Sequence, residues 1–298
     1  MRAIVTGAGG FAGSHLVRAL RAEGWSVVTL ARRGPADRAG DLARMPLRGL
    51  RADVVFHLAG FANPAASFNA PLEAFEANAV STARLLREVP AGRFVIASTC
   101  QVYAPGPRPL AETAPLRPGN PYATSKLWAE TLARSSGREV VILRPFNHTG
   151  PGHSGAYVCP RIARQIARAE AGRGPRTLEL GELDHRRDFF DVRDMARAYL
   201  LAAGRGRPGE VYNVGTGRPI AIREIVDLLR ERARVPLRVL ALRGASTVLS
   251  ADPSKFHAAT GWRPLIPLRQ TLDDLLAHER REHGTFLPGR NVPVSASP

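Results

Sequence analysis

Tyr122 and Lys126 are the residues of this chain whose types and spacing best suit chemistry. They stand four apart in the segment Tyr-Ala-Thr-Ser-Lys, at the start of a helical pattern over 122–136, so both side chains would lie on one helix face. A lysine cation close to a phenol lowers the pKa of the phenol, which would make Tyr122 a proton donor or acceptor near neutral pH. The pair predicts acid–base chemistry at an oxygen atom.

A glycine-rich motif lies at the amino end of the chain, in the segment Thr-Gly-Ala-Gly-Gly-Phe-Ala-Gly. It follows a short apolar run and precedes a helical pattern. Gly7, Gly10 and Gly13 allow a tight turn, the approach of a pyrophosphate to the backbone and close packing of helix on strand. With Phe11 and Ala12 they form the N-terminus of a helix, which predicts a dinucleotide site. A dinucleotide beside an activated tyrosine indicates hydride transfer at a carbon–oxygen bond.

Length and composition limit the class of protein. A chain of 298 residues, 44% of them hydrophobic, can bury a sizeable core in one or two tightly joined domains. No apolar run approaches the ~20 residues of a membrane helix, and the first strand begins at once, so we expect neither a membrane partner nor a signal peptide. Two cysteines, Cys100 and Cys159, cannot form a disulfide framework, and a cytoplasmic location is expected.

The net charge of +16 raises the question of nucleic-acid binding. Two of the 42 basic residues are lysines, Lys126 and Lys255, and the other 40 are arginines spread along the sequence. No run of five or more like charges occurs, as a nucleic-acid-binding tail would show. We therefore expect no nucleic-acid partner, and favour a basic cleft for a doubly charged sugar diphosphate.

Short apolar runs alternate with amphipathic stretches, which predicts an α/β fold with a Rossmann-type, doubly wound parallel sheet. Strands are predicted at 3–5, 26–30, 54–58, 93–97, 140–143 and 211–214. Helices are predicted at 14–23, 71–88, 122–136, 160–171, 221–234 and 268–281. The third strand of such a sheet is obscure, because Asp41-Leu42 is its only trace.

Together these motifs resemble the extended short-chain dehydrogenase/reductase family, whose enzymes modify nucleotide sugars, over residues 1 to about 276. The resemblance implies a cofactor-binding Rossmann domain over 1–145, whose core strands return near 190–215. A smaller, interleaved substrate-binding lobe would occupy 146–287, and 288–298 are expected to be a disordered tail. The family's usual homodimer would form by pairing of helices 71–88 and 122–136 between subunits.

The residues after the predicted second strand bear on the choice of cofactor. NAD-preferring relatives tend to carry an acidic residue there, where this chain has Arg32 and Arg33. A carboxylate would repel a 2′-phosphate, whereas an arginine would pair with it. We therefore predict NADP(H). The resemblance assigns further cofactor contacts to five segments: Asp41 and Leu42 at the adenine, Leu58, Ala59 and Gly60 after a strand, Asn78 on a helix, Ser98, and Pro145 beside the nicotinamide.

The resemblance also implies the catalytic set. Thr99 stands where a family hydroxyl bonds the substrate oxygen, Tyr122 would pass the proton, and Lys126 would also hold the nicotinamide ribose. Dehydratases of the family place a glutamate at the position of Gln101, because expelling water needs a general acid and base. An amide cannot shuttle protons at neutral pH, and Cys100 is expected to be a buried, inert thiol. These residues argue against a dehydratase.

Two later segments, over 144–152 and 181–194, resemble the branch of the family that acts on GDP-mannose derivatives. In that branch an asparagine at the position of Asn147 contacts the substrate, and an arginine at Arg187 grips the diphosphate. Arg243 stands where relatives carry another phosphate-binding arginine. With Thr99 and Gln101, these are the expected substrate contacts, and no metal ion is expected.

These expectations converge on an NADPH-dependent 4-ketoreductase of a nucleotide-linked 4-keto-6-deoxyhexose, most simply from GDP-4-keto-6-deoxymannose to GDP-rhamnose. A C4 epimerase would use the same residues but return its hydride to the sugar. A 4,6-dehydratase is disfavoured by Gln101. A redox sensor that binds NADPH without catalysis is the alternative outside the enzymes, although such relatives tend to lose the tyrosine and lysine that this chain has.

Overall fold

The fold is seen in a computed structural model, which describes residues 1–242, 244 and 246–283. Arg243 and the predicted tail over 288–298 lie outside the described residues. The strands, in chain order, are β1 (Arg2–Thr6), β2 (Ser26–Ala31), β3 (Arg38–Ala39), β4 (Ala52–His57), β5 (Ala91–Ala97), β6 (Val140–Pro145), β7 (Asn147–Thr149), β8 (Thr177–Leu180), β9 (Arg186–Asp191), β10 (Val211–Val214), β11 (Pro219–Ala221), β12 (Arg238–Ala241) and β13 (Val248–Leu249).

A seven-stranded sheet in the order β10-β6-β5-β4-β1-β2-β3 forms the centre of the molecule, and all its pairs are parallel. Helices cover both faces, so strands such as β6 are buried along their whole length. That burial explains why the strands read as continuous apolar runs rather than alternating ones. The predicted fold class, a Rossmann-type doubly wound sheet, is confirmed.

The sheet's third strand departs from the sequence-based prediction. β3 is only two residues long and pairs with the end of β2, just before the predicted trace at Asp41-Leu42. Asp41 instead begins a turn, since its carboxylate accepts a hydrogen bond from Ala43 N at 2.9 Å and its carbonyl accepts one from Arg44 N. The turn places Asp41 and Leu42 beyond the edge of the sheet, where they line the cavity described below.

The helices, in chain order, are α1 (Phe11–Ala22), α2 (Pro64–Ser67), α3 (Pro71–Phe75), α4 (Ser81–Glu88), α5 (Pro121–Arg134), α6 (Val158–Glu170), α7 (Val192–Arg205), α8 (Ile222–Arg230), α9 (Ser254–Thr260) and α10 (Leu268–His283). The single helix predicted over 71–88 is α3 and α4 joined by a π-helical turn, Glu76–Val80. Such turns often lie at functional sites. None of the described helices is long and apolar enough to cross a membrane.

A second hydrophobic core lies beside the large sheet, among α6, α8, α10 and the two-stranded sheet of β8 and β12. The strand β9 pairs with β7, β11 and β13. It links the two regions, because its Phe190 lies in the core at the large sheet and its Phe189 in the second core. The chain then returns through α7, which packs on α1, to β10 at the edge of the large sheet. α7 was not predicted from the sequence.

Candidate active site

A cavity of about 800 Å³ opens beside the carboxyl ends of β1, β4, β5 and β6. Ligands of open α/β sheets bind at this edge, where the crossover connections leave a crevice. The cavity brings together most of the residues predicted to act on cofactor or substrate. They are Gly7, Gly10, Phe11, Ala12, Gly13, Arg32, Arg33, Asp41, Leu42, Leu58, Ala59, Gly60, Ser98, Thr99, Gln101, Tyr122, Lys126, Pro145 and Asn147.

The glycine loop forms one wall of this cavity. Gly7 has φ +70°, and a Cβ there would stand 2.7 Å from Ala59 N, while a Cβ on Gly13 would overlap the Gly7 carbonyl. These close approaches require glycine at both positions. α1 begins directly after Gly10, and no side chain among the described residues caps it. The first N–H groups of α1 are therefore available to an anion such as a pyrophosphate.

A buried hydrogen-bond chain ties the loop after β4 to the end of β1. Thr82 donates to the Asn78 carbonyl, so Thr82 Oγ1 accepts from His57 Nε2 at 2.9 Å. His57 Nδ1 then accepts from Thr6 Oγ1 at 2.8 Å, and Thr6 Oγ1 accepts from Ala59 N. Burial lowers the pKa of His57 to about 3, so the ring is neutral and serves to position the loop.

Asn78, predicted to bind the cofactor, does not line the cavity. Its side chain accepts from Phe61 N at 3.0 Å, donates to Phe61 O at 3.2 Å and donates to Ser125 Oγ at 2.8 Å. The contacts hold the loop that carries Gly60 and Phe61 against α5, so the structure gives Asn78 a supporting place behind the cavity wall.

The predicted adenosine end of the cavity carries both basic and acidic side chains. Arg32 and Arg33 line it as expected. Glu73 of α3 and Glu76 of the π-helical turn also line it, and the sequence analysis did not single out either glutamate. Arg32 forms an exposed ion pair with Glu73 at 3.3 Å, and Arg44 forms one with Glu76 at 3.0 Å. An anion arriving here would compete with these carboxylates for the guanidinium groups.

Tyr122 and Lys126 lie on the first two turns of α5, buried at the floor of the cavity. Lys126 Nζ donates to the Ala97 carbonyl at 2.9 Å, and burial lowers the pKa of Lys126 to about 8, against the opposing effect of Glu130. Burial raises the pKa of Tyr122, and a hydrogen bond with Thr99 opposes the rise only in part. The expectation of a lowered phenol pKa is therefore wrong here, because desolvation of the buried phenol outweighs the one neighbouring group, Thr99, that lowers its pKa. Tyr122 is a protonated phenol at neutral pH.

Thr99 and Gln101 follow the end of β5. The Thr99 hydroxyl lies close enough to the Tyr122 phenol to lower its pKa, and Thr99 Oγ1 accepts from Gln101 N at 3.2 Å. These contacts bring a hydroxyl, a phenol and an amide to one end of the cavity. Burial raises the pKa of the neighbouring Cys100 thiol to about 12, as expected for an inert cysteine.

A buried polar network supports this floor from below. Arg144 holds Glu130 through two hydrogen bonds, Nε to Oε1 at 2.9 Å and Nη2 to Oε2 at 2.6 Å. Glu130 also accepts from Ser98, and Arg144 donates to the Tyr103 hydroxyl at 2.7 Å. Glu130 stands one turn beyond Lys126 on α5, and its role was not predicted.

A stack of rings closes one side of the cavity. His153 lies parallel to Phe11 with ring centroids 4.1 Å apart, and stacks on Tyr157 at 4.4 Å. Tyr157 Oη donates to the Ala62 carbonyl at 2.9 Å, across from the loop that follows β4. The stack thus joins the glycine loop to the N-terminus of α6, and the sequence analysis did not include His153 or Tyr157.

Of two further predicted substrate contacts, Asn147 and Arg187, only Asn147 lines the cavity. Its buried Oδ1 has no hydrogen-bond partner among the described residues, so it is an acceptor suited to a ligand donor. Arg187 does not line the cavity and instead donates to Thr247 O at 2.7 Å and Thr247 Oγ1 at 2.9 Å. Over the same described residues, no group of three or more His, Cys, Asp or Glu side chains could hold a metal ion.

The sheet, the glycine loop and the Tyr122–Lys126 pair define a dinucleotide-binding oxidoreductase fold. The chain belongs to the NAD dependent epimerase/dehydratase family, which matches residues 3–215.

Curated relatives and solved structures agree with this assignment. The chain is 36% identical to the GDP-6-deoxy-D-mannose reductase of Pseudomonas aeruginosa over 93% of this chain and 96% of that protein. It is 31% identical to a UDP-glucose 4-epimerase of Azospirillum brasilense, over 92% and 90%. Among solved structures, RMD from Pseudomonas aeruginosa complexed with NADPH superposes with a TM-score of 0.86 at 34% identity, covering 94% of this chain and 99% of that one.

Proposed function

We propose that this protein is an NADPH-dependent reductase of the 4-keto group of a nucleotide-linked 4-keto-6-deoxyhexose, converting GDP-4-keto-6-deoxymannose to GDP-rhamnose. The observation that carries the proposal is the meeting of Thr99, Tyr122 and Lys126 in one cavity with the glycine loop. The similarity to a GDP-6-deoxy-D-mannose reductase over nearly the whole chain supports the choice of substrate.

The residues of the cavity suit NADPH. The uncapped start of α1 and the close glycines fit a pyrophosphate, and Arg32 and Arg33 offer guanidinium groups to a 2′-phosphate. The neighbour complexed with NADPH supports the same cofactor. When bound, NADPH supplies a hydride to the carbonyl carbon.

The protein's own residues then handle the oxygen. Thr99 and Tyr122 donate hydrogen bonds that hold the carbonyl oxygen, and Tyr122 gives its proton as that oxygen becomes an alkoxide. The raised pKa of Tyr122 keeps the phenol protonated until then. Lys126, as a buried cation one turn away, stabilises the phenolate that remains.

The reductase is tested by following NADPH absorbance with GDP-4-keto-6-deoxymannose made in situ by a separate dehydratase. We expect NADPH loss equal to the amount of sugar reduced, and we expect Tyr122→Phe to abolish it while NADPH still binds. Tyr212→Phe is the matched control, because that hydroxyl accepts from Arg207 N outside the cavity. No NADPH loss with the wild type would contradict the reductase.

A C4 epimerase is the second candidate, since the chain is also similar to a UDP-glucose 4-epimerase. Such an enzyme would interconvert sugar isomers without net loss of NADPH. Product analysis of the same reaction mixture, by chromatography of the sugar nucleotides, separates the two. Gln101 in place of a proton-transferring glutamate continues to argue against dehydration.

We further propose that residues 1–145 form the cofactor-binding domain and that residues 146–287 form the substrate-binding lobe. We also propose that the protein is a homodimer. Leu72 on α3 and Trp128 on α5 are 79% and 51% exposed, and Phe75 packs edge-on against Trp128. An apolar patch of this kind suits an interface between copies. Light scattering should give twice the chain mass, and Leu72→Arg should halve it, whereas Leu242→Arg, at another exposed leucine, should not.

A further inference from the structure

The side-chain amide of Gln101 is held at one end. Gln101 lies in the short turn Cys100–Val102 and lines the cavity. Its Oε1 accepts a hydrogen bond from Asn120 Nδ2 at 3.1 Å. The orientation of this amide decides whether the cavity meets a hydrogen-bond donor or an acceptor.

Helix α5 determines that orientation. Asn120 is the N-cap of α5, and its Oδ1 accepts from Ala123 N at 2.8 Å. A cap must offer an acceptor to the free N–H groups of the helix, so Nδ2 of Asn120 is the atom left to face Gln101. Gln101 must answer with Oε1, which turns its Nε2 the other way. No acceptor for Gln101 Nε2 is found among the described residues.

This free donor belongs to the reacting end of the cavity. Gln101 N donates to Thr99 Oγ1 at 3.2 Å, and the Thr99 hydroxyl lies close enough to the Tyr122 phenol to lower its pKa. Tyr122 follows Asn120 by two residues in the same helical turn. Gln101 therefore lines the cavity together with the two hydroxyls that would hold the substrate carbonyl.

We propose that Asn120 is a positioning residue that fixes Gln101 as a hydrogen-bond donor to an oxygen at or next to the reacting carbon of the sugar. The inference rests on the proposed function and deepens it. A keto oxygen only accepts hydrogen bonds, so a fixed donor matches the substrate, whereas the opposite end of the amide would face it with an acceptor.

Asn120→Asp tests whether Asn120 fixes the orientation of the Gln101 amide. A carboxylate caps a helix as well as an amide does, but it cannot donate, so Gln101 would turn Nε2 towards it and present Oε1 to the cavity. We expect kcat/KM for the keto sugar to fall about ten- to a hundredfold, with the melting temperature and the Kd for NADPH unchanged. Asn120→Ser also caps but is too short to reach Gln101, and should give a smaller loss.

The decisive readout is the same substitution in a Gln101→Ala background, where no amide remains to be turned. We expect Asn120→Asp to cost nothing further there. An equal loss in both backgrounds would overturn the proposal, because Asn120 would then act through the helix or through charge. An unchanged kcat/KM in Asn120→Asp alone would overturn it as well.

Binding measurements keep this test apart from that of the reductase. If the wild type oxidises no NADPH, the proposed function fails, and the calorimetric Kd for GDP-4-keto-6-deoxymannose then tests the role of Asn120, measured in the wild type, Asn120→Asp, Gln101→Ala and the double variant. A loss of affinity caused by Asn120→Asp in the wild type, but not in the Gln101→Ala background, supports the positioning role of Asn120. No loss, or no binding by the wild type, overturns it.

Discussion

Glu130 and Arg144 form a two-point ion pair beneath the floor of the cavity, with both side chains almost fully buried. The pair joins α5, which carries Tyr122 and Lys126, to β6, which ends at the cavity. A buried pair need not stabilise a protein more than well-packed apolar side chains would, but removing one partner leaves an unpaired charge in the interior. The helix that carries the two proposed catalytic side chains is thus tied to the sheet by a contact outside the cavity.

Glu130→Gln should therefore lower the free energy of unfolding by about 3 kcal/mol, because it leaves the Arg144 guanidinium without its countercharge. Urea unfolding followed by circular dichroism measures the change. Asp184→Asn is the matched control, since Asp184 pairs with Arg223 on the surface, and should change stability by less than about 1 kcal/mol. Equal losses in the two variants would contradict the assigned role.

Burial of Lys126 predicts a pH dependence of stability. The lysine has a pKa of about 8 in the folded protein and 10.5 as the ordinary value. Between these two pH values the unfolded chain binds more protons, so this contribution to stability rises with pH. Relative to Lys126→Met, the wild type should gain about 2 kcal/mol between pH 7 and pH 10.

Urea unfolding of both proteins at pH 7 and pH 10 measures this difference. Lys255→Met, which removes the other lysine of the chain at a partly exposed site, controls for the substitution itself. A stability difference between wild type and Lys126→Met that is the same at both pH values would refute the prediction. Lys126→Met should also lose catalysis, because the cation beside Tyr122 is gone.

Because Arg32 and Glu73 form an ion pair, we expect substitution of the arginine and substitution of the glutamate to change the affinity for NADPH in opposite directions. Arg32→Gln should weaken NADPH binding about tenfold and leave NADH binding nearly unchanged, because only NADPH carries the 2′-phosphate. Glu73→Gln should tighten NADPH binding about twofold, since it frees Arg32 from an exposed ion pair that contributes little by itself.

Fluorescence titration with NADPH and NADH measures both effects. Arg87→Gln is the control, because Arg87 is an exposed arginine of α4 that pairs with Glu88. Equal effects on NADPH and NADH would show that Arg32 does not contact the 2′-phosphate.

The parts of the fold that the sequence could predict are those where local pattern and burial agree. β1 was predicted within a residue of its bounds, since a strand buried on both faces reads as a continuous apolar run. The missed helix α7 had signals of its own. Asp191 caps the helix by accepting a hydrogen bond from Arg193 N at 2.7 Å. Its buried face repeats apolar residues at helical spacing, namely Met195, Ala198 and Tyr199. β7, β11 and β13 are two or three residues long and are set by pairing with β9, which no local pattern shows.

In the candidate site too, local motifs could be predicted from the sequence, whereas contacts between distant segments could not. The glycine loop and the Tyr122–Lys126 pair are local motifs, so their spacing carried the prediction. Contacts between distant segments, such as Glu130 with Arg144 or Asn120 with Gln101, depend on how the elements pack and have no signature in the sequence. Desolvation is also a property of packing, which is why the direction of the pKa shift of Tyr122 was predicted wrongly.

The ring stack beside the cavity predicts how fast the cofactor leaves. Tyr157 joins the N-terminus of α6 to the loop after β4 by one hydrogen bond, from its hydroxyl to the Ala62 carbonyl. Tyr157→Phe keeps the ring stacked on His153 but loses this bond, so NADPH should dissociate about fivefold faster. His153→Ala also removes the ring that touches Phe11, and should have a larger effect.

Stopped-flow displacement of NADPH measures these rates, with Tyr212→Phe as the control. Burial lowers the pKa of His153 to about 3, so the ring stays neutral and the effect should not vary between pH 6 and pH 8. A reductase must exchange its cofactor at every turnover, so faster release should raise kcat if release limits the rate. Dissociation rates that are unchanged in both variants would mean that the stack does not retain the cofactor.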